Sequence, residues 1–427
     1  MIAYIFSVVR ALEMAHSEDD SSGVFDSPSK NVLSEQTSDS VDKQTQLQVS
    51  NDGSITIEDL SIIALLPSRD GFSHMFCVWD NSVAPTPRRN ALVDSKNRTS
   101  TEHEEVVESD QRHRAGGCYI MRWIIRQRAE AAGVGERLNS ERQHLLACRN
   151  SNFIVNLVGT LQDSVSVYFL YDSCLGGTLE NLLKTNSCSS GQGSTSGGSS
   201  GSGFSLFKKP ARHGSTSGLT VSNVRSGIDE ECAKFYLACT IEAVDFMHSI
   251  GIVHRNITPA SIYITSTGYA KLGDFSWTKS IGARSRTFSL CGPVERLAPE
   301  VMLNKGHGLA SDRWSLGILL YELLVGKSPF LKDDPMQTCS AILHHAGSGS
   351  GAAANEASEA LDFPRRVSKA ARDVVRKLCR AGPADRILIE DLRKHPFFTN
   401  FEWKNLQNLS MTPPFVPNVC YFVSCSS

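Results

Sequence analysis

The chain has 427 residues, 41% of them hydrophobic, enough for a sizeable buried core. Forty-three Lys and Arg stand against 45 Asp and Glu, a formal net charge of -2, which excludes a globally basic nucleic-acid or polybasic membrane binder. Twelve cysteines occur without any C-x-x-C pair, which excludes a compact disulfide framework and a zinc ribbon and suits a reducing, cytoplasmic location. No apolar run reaches the ~20 residues of a membrane span.

In chain order, the start MIAYIFSVVR imitates a short signal core but lacks a basic leader, and is read as a frayed terminus. The polar composition of residues 17–54 makes 1–54 an expected disordered segment. Residues 55–66 and 118–125 read as strands, separated by a polar insertion at 84–116. Residues 134–148 read as a helix with Leu138, Leu145 and Leu146 on one side, and 154–158 and 165–171 as further strands. Between positions 187 and 203, fourteen of seventeen residues are Gly or Ser, the centre of an expected flexible insertion at 185–227. A strongly periodic helix follows at 230–250, stopped by Gly251. The stretch at 312–325 is apolar on nearly all sides and reads as a buried central helix. A smaller insertion is expected at 345–360. Strands first and helices second predict an α+β, two-lobed domain over 55–405, with an N-lobe at 55–171, a C-lobe at 174–405 and a cleft between them. A short tail at 406–427 follows.

Four segments in fixed order carry the chemistry: HRNITPAS at 254–261, GDFS at 273–276, CGPVERLAPE at 291–300 and SDRWSLGILLYELLVGKSPF from 311. With Arg386, this set resembles a eukaryotic protein kinase. CLGGTLENLL, GYAKLGDF and LNKGHG bring it closest to the AGC class, and within it to the cyclic-GMP-dependent kinases. The resemblance implies the bilobal protein-kinase fold over roughly 57–401. It does not extend to a cyclic-nucleotide-binding domain, for which the N-terminal segment is too short.

Phosphoryl transfer asks the protein mainly for positioning and charge neutralisation. In LLPSRDGFSHMF, the stretch matching the glycine-rich phosphate cover, Gly71 remains while Pro67, Arg69 and Ser73 replace other glycines and Asp70 is extra. Proline removes an amide donor and aspartate repels phosphate, so a plain strand-turn-strand is expected there. Arg122 stands where the resemblance implies the phosphate-holding lysine, with Glu141 as its partner; its broad fork is no replacement for a compact ammonium. In the catalytic loop Arg255 remains, but Asn256 replaces the base, Thr258 the lysine and Ser261 the asparagine ligand of the second magnesium. Losing a positioned base alone costs about 10²–10⁴ in rate. Asp274 remains as the metal ligand, and Ser276 replaces the glycine after Phe275. Phe169 is read as the gatekeeper, and Tyr171 to Ser173 as the hinge of the nucleotide pocket.

Thr178, Ala260 and Pro293 replace groups that the resemblance assigns to substrate recognition, leaving Glu322 of the acidic set. Ser289 falls at the activation-loop phosphoacceptor position. The fasteners persist: Glu300 with Arg386 as a buried pair, and Asp312 as a brace for the catalytic loop. The expectation is a pseudokinase, a regulatory or binding module that binds ATP and Mg weakly and engages a protein partner, with no nucleic acid and no membrane span. Its rival is an active ATP-dependent serine/threonine kinase with an atypical site.

Overall fold

The computed structural model describes residues 55–66, 68, 70, 72–82, 117–189, 227–282, 285–347 and 361–418. The expected disordered segment 1–54, the insertion 84–116, most of the insertions 185–227 and 345–360, the tail beyond 418 and Gly71 lie outside the described residues.

Strands β1 (Leu60–Leu66), β2 (Ser73–Asp80), β3 (Cys118–Ile125), β4 (Leu157–Gln162) and β5 (Ser166–Asp172) form an antiparallel sheet in the order β1-β2-β3-β5-β4. Alternation decides which face each side chain takes. Phe76, Val78, Tyr119, Met121, Trp123, Tyr168 and Leu170 form one apolar cluster with Leu60 and Leu161. The opposite face carries Arg122, Ile124 and Phe169, and its apolar members join the main core. The Trp123 indole stacks on Tyr168 and donates to Ser166 Oγ at 2.7 Å, which satisfies its one polar atom inside the cluster. β3 has the limits expected from sequence. The strand expected at 154–158 forms instead at Leu157–Gln162, and Ile154 makes only an isolated parallel bridge to Leu272.

Helices α1 (Arg126–Ala131) and α2 (Gly135–Ala147) follow β3. α2 buries Glu141 and Leu145 and exposes Leu146, so the apolar side is narrower than its leucines suggest. α3 (Leu179–Ser189) opens the second lobe and enters the span expected to be an insertion. α4 (Glu230–Ser249) is capped by Asp229, whose carboxylate accepts from Glu231 N, with Glu230 and Glu231 favourably placed in the first turn. Gly251 at φ 73° turns the chain out of this helix into β6 (Ile252–Val253). β7 (Ile262–Ile264) and β8 (Ala270–Leu272) form a hairpin under the cleft, and β9 (Lys279–Ser280) pairs with β6. After the short α5 (Pro299–Met302), α6 (Ala310–Val325) runs through the C-lobe core, packed on α4 and, past α7 (Pro335–Gly347), on α8 (Lys369–Leu378). The bilobal α+β arrangement is therefore present, strands first and helices second.

Gly317 of α6 packs tightly against the end of α8. A Cβ there would lie 2.6 Å from Cys379 Sγ and 2.8 Å from Leu378 Cβ. Gly317→Ala should lower stability by about 1–3 kcal/mol through overpacking, although alanine's helix propensity alone would favour it by ~1 kcal/mol. Urea denaturation decides between the two signs.

Candidate functional site

The loop at 254–261, expected to be catalytic, enters the cleft between β6 and β7 and is held by a buried carboxylate from α6. Asp312 is fully buried and accepts from His254 N at 2.9 Å, from Arg255 N at 2.8 Å and from His248 Nε2 at 2.9 Å. Burial opposes its charge, yet the hydrogen bond and charge of His248, with the hydrogen bond from the His254 backbone, hold its pKa below the usual carboxylate range. This clamp keeps Arg255 at φ 68°, a left-handed conformation costly for a side chain other than glycine. The Arg255 guanidinium reaches the activation segment, donating to Trp277 O at 2.6 Å and to Ser289 Oγ at 2.5 Å.

His254 is also fully buried, its ring edge-on to Phe275. Its Nε2 donates to Gly273 O at 2.9 Å and its Nδ1 accepts from Asn256 N at 3.3 Å, an arrangement that requires the neutral imidazole. Burial holds its pKa below the usual histidine value, against the pull of Asp312 and Asp274.

The residues expected to do chemistry turn toward one another. Asn256 Nδ2 donates to Asp274 Oδ2 at 2.9 Å, so an amide donor meets the carboxylate expected to hold metal. Asp274 itself sits at φ 56°. Ser261, fully buried, spends its hydroxyl on the loop: its one proton is shared between Asn256 O and Thr258 O, and its oxygen accepts from Thr258 N. Thr258 Oγ1 accepts from Ser261 N at 3.1 Å and is buried as well. Thr258 and Ser261 thus form a local capping turn. Among the described residues no group of three or more His, Cys, Asp or Glu side chains could hold a metal ion.

Under the sheet, Arg122 of β3 and Glu141 of α2 form the expected ion pair. It is buried: Arg122 is 6% and Glu141 3% exposed. Nη1 donates to both Glu141 oxygens at 3.0 and 3.1 Å, Nε donates to Ser73 Oγ at 3.0 Å, and Nη2 donates to Asp70 Oδ2 at 2.6 Å. Asp70 Oδ1 in turn accepts from Ser73 N and Ser73 Oγ. Burial disfavours the guanidinium charge, but the Glu141 and Asp70 carboxylates hold the pKa of Arg122 net above its usual range. Phe72 folds inward beside it, 9% exposed, its ring 5.6 Å from the Arg122 guanidinium carbon. Asp70 and Phe72, between β1 and β2, therefore fold in against Arg122.

Phe169 and Tyr171 line the same face, both buried, and Ser173 follows β5 at the crossing between the lobes. Asp172 bonds Lys271 of β8 and accepts from Asn156 N, tying the crossing to the C-lobe. Glu322 pairs with Arg296, whose Nη2 lies 2.9 Å from its Oε1. Thr178 Oγ1 bonds Asn181 at the start of α3, a capping contact. At the base of the C-lobe, Glu300 and Arg386 form a two-pronged buried pair at 2.6 and 2.7 Å, and Arg386 also donates to Ala310 O, Arg380 O and Ala381 O. Sequence reasoning missed two partners here, Asp70 for Arg122 and Arg296 for Glu322. Their opposite charges were a usable signal, but their separations of 52 and 26 positions hid the pairing.

Comparison with known proteins points to the same fold. Residues 204–398 match the protein kinase domain. The chain is 35% identical over 269 residues to human cGMP-dependent protein kinase 2, covering 62% of this chain and 29% of that protein. It is 32% identical over 290 residues to isozyme 2 of the Drosophila melanogaster cGMP-dependent protein kinase, covering 65% and 26%. It is 32% identical over 291 residues to a cGMP-dependent protein kinase of Caenorhabditis elegans, covering 65% and 31%. The chain thus spans about a quarter to a third of the length of these relatives. No helix among the described residues is long and apolar enough to cross a membrane. Fold, motif order and these similarities agree that this chain carries a protein kinase domain similar to those of the cGMP-dependent protein kinases.

Proposed function

We propose that this domain is a pseudokinase: a regulatory or binding module for a protein partner, with weak or absent phosphoryl transfer. The observation that carries the reading is the full commitment of Arg122. Each nitrogen of its guanidinium already faces an internal acceptor on Glu141, Ser73 or Asp70, and Asp70 brings a carboxylate where a nucleotide phosphate would have to sit. The residues present do not fit Mg-ATP in this arrangement. A phosphate would have to displace a 2.6 Å charge-assisted hydrogen bond, and a metal at Asp274 would have to displace Asn256 Nδ2. Asn256 is a neutral amide and cannot take the proton of a substrate hydroxyl. Glu322, the acidic group left for basic substrates, is occupied by Arg296. A cytoplasmic location accords with the nine free thiols among the described residues.

A second reading, an active serine/threonine kinase, draws on the intact Arg122–Glu141 pair and on Asp274 at the cleft. Thermal denaturation with and without Mg-ATP separates the two. Nucleotide at a hundred times its Kd would add ~2.7 kcal/mol to the native state, so a binding-competent kinase shows a clear rise in Tm. The expected result is no resolvable rise for the unmutated chain, and partial gain in Asp70→Ala. Robust phosphotransfer by the unmutated chain, abolished in Asp274→Ala, overturns the proposal.

A further inference from the structure

Two thiols that the kinase reading leaves unused lie together on the sheet. Cys77 of β2 and Cys118 of β3 are buried, and their sulfurs are 3.5 Å apart. They are 41 positions apart in the chain, and register brings them together. Cys77 stands opposite Ile120 and Cys118 opposite Trp79, so the two are diagonal neighbours on one face, the face that carries Arg122. Among the described cysteines no other pair is in sulfur contact. Two cysteines could serve only as small apolar fillers. Their immediate surroundings are not purely apolar, however. The thiols lie within hydrogen-bonding distance of each other, and either sulfur can donate. With Cys77 donating, the two sulfurs differ. The bond from Cys77, opposed by burial, holds the Cys118 thiol net below the usual range, whereas the same bond and burial push Cys77 up.

We propose that Cys77 and Cys118 are a reversible redox site that a hydroperoxide converts to a disulfide, stapling β2 to β3 beside the lobe crossing. The inference is independent of whether the domain transfers phosphate. In the first step the Cys118 thiolate attacks the peroxide oxygen, forming a sulfenic acid and releasing the other oxygen, which takes up a proton as water or alcohol. In the second step the Cys77 sulfur attacks the sulfenic sulfur. The S–O bond breaks, the hydroxide leaves with the Cys77 proton as water, and the S–S bond forms. The two sulfurs give up two electrons and the peroxide takes two, so nothing else is required. An external dithiol reverses the change.

The test uses the full chain, reduced, freed of reductant and treated with hydrogen peroxide. Remaining thiols are then alkylated and the chain is digested without reduction for mass spectrometry. The expected product is a peptide pair linked through Cys77 and Cys118, lighter by two hydrogens and lost on treatment with dithiothreitol. In Cys77→Ser the link is absent and dimedone traps a sulfenic acid on Cys118; in Cys118→Ser, Cys77 remains a free thiol. Circular dichroism establishes that both variants are folded. A sulfenic or sulfinic acid on Cys118 without the link in the unmutated chain overturns the proposal. So does a link from Cys118 to Cys174 or to another cysteine, or a sulfenic acid on Cys77 in Cys118→Ser.

Discussion

Arg386→Ala should lower the unfolding free energy by about 3–5 kcal/mol, the largest single-residue effect expected in the C-lobe. Arg386 is 1% exposed, and its guanidinium serves both Glu300 oxygens and three backbone carbonyls. Truncation leaves the Glu300 carboxylate buried without a counter-charge and frees carbonyls at the start of α6 and the end of the α8 segment. Its guanidinium also lies 5.3 Å from the centre of the buried Trp314 ring, so packing is lost along with charge. Urea denaturation at neutral pH measures the change. A loss under ~1 kcal/mol, the value of an exposed pair, would show that the contact is not the anchor inferred here. Glu300→Ala should match it in direction, and the double variant should cost less than the sum, because the second truncation removes an already unpaired charge.

Acidification should destabilise the fold well above the carboxylate range. His254 and His345 are both buried, and burial holds each folded-state pKa below the usual value. The unfolded chain therefore takes up protons first, near pH 6.5, while the folded imidazoles stay neutral. Between the two pKa values the unfolded state holds more protons, so stability is complete above about pH 6.5 and falls as pH drops below it. Each histidine contributes at most ~1.4 kcal/mol per pH unit until its folded pKa is reached. At His254 the cost has a structural cause: a proton on Nδ1 would face the Asn256 N–H that this nitrogen now accepts. Asp312 adds a second window. Its folded pKa lies below the unfolded value near 3.8, so its contribution is present above that value and lost as pH falls through the folded pKa. Denaturation curves at pH 7.5, 6.0 and 5.0 should show a steady loss, with a shallower slope in His254→Asn whatever its absolute stability. A flat profile over that range would contradict the neutral, buried assignment.

How far the sequence could be read depended on the range of the forces involved. β3 was legible to the residue because its signal, a short apolar run rich in aromatic and β-branched residues, is local, and Gly117, at φ 74°, precedes it. β4 was displaced by three residues. The β-branched stretch from Ile154 attracts a strand assignment, while the hydrogen-bonded run needs only one apolar face and accepts the outward Thr160 and Gln162. α2 looked more amphipathic than it is, because its buried face is organised around Glu141, a charge drawn in by Arg122. Asp70 was legible as a negative charge unfit for a phosphate cradle. That it would reach Arg122 was not legible, because the contact depends on how β2 and β3 pair and how Phe72 folds in.

By itself, the sequence pointed to the kind of domain and named the residue types standing at the positions expected to do chemistry. Motif order and spacing are local chemical facts, and an amide at position 256 is an amide in any fold. Only the tertiary structure decided what the surviving charges do. Asp70 closes on Arg122, Asn256 on Asp274 and Arg296 on Glu322. The physical reason is that a buried charge must be neutralised where it lies. Which partner does so depends on distances of a few ångströms that only the assembled lobes create.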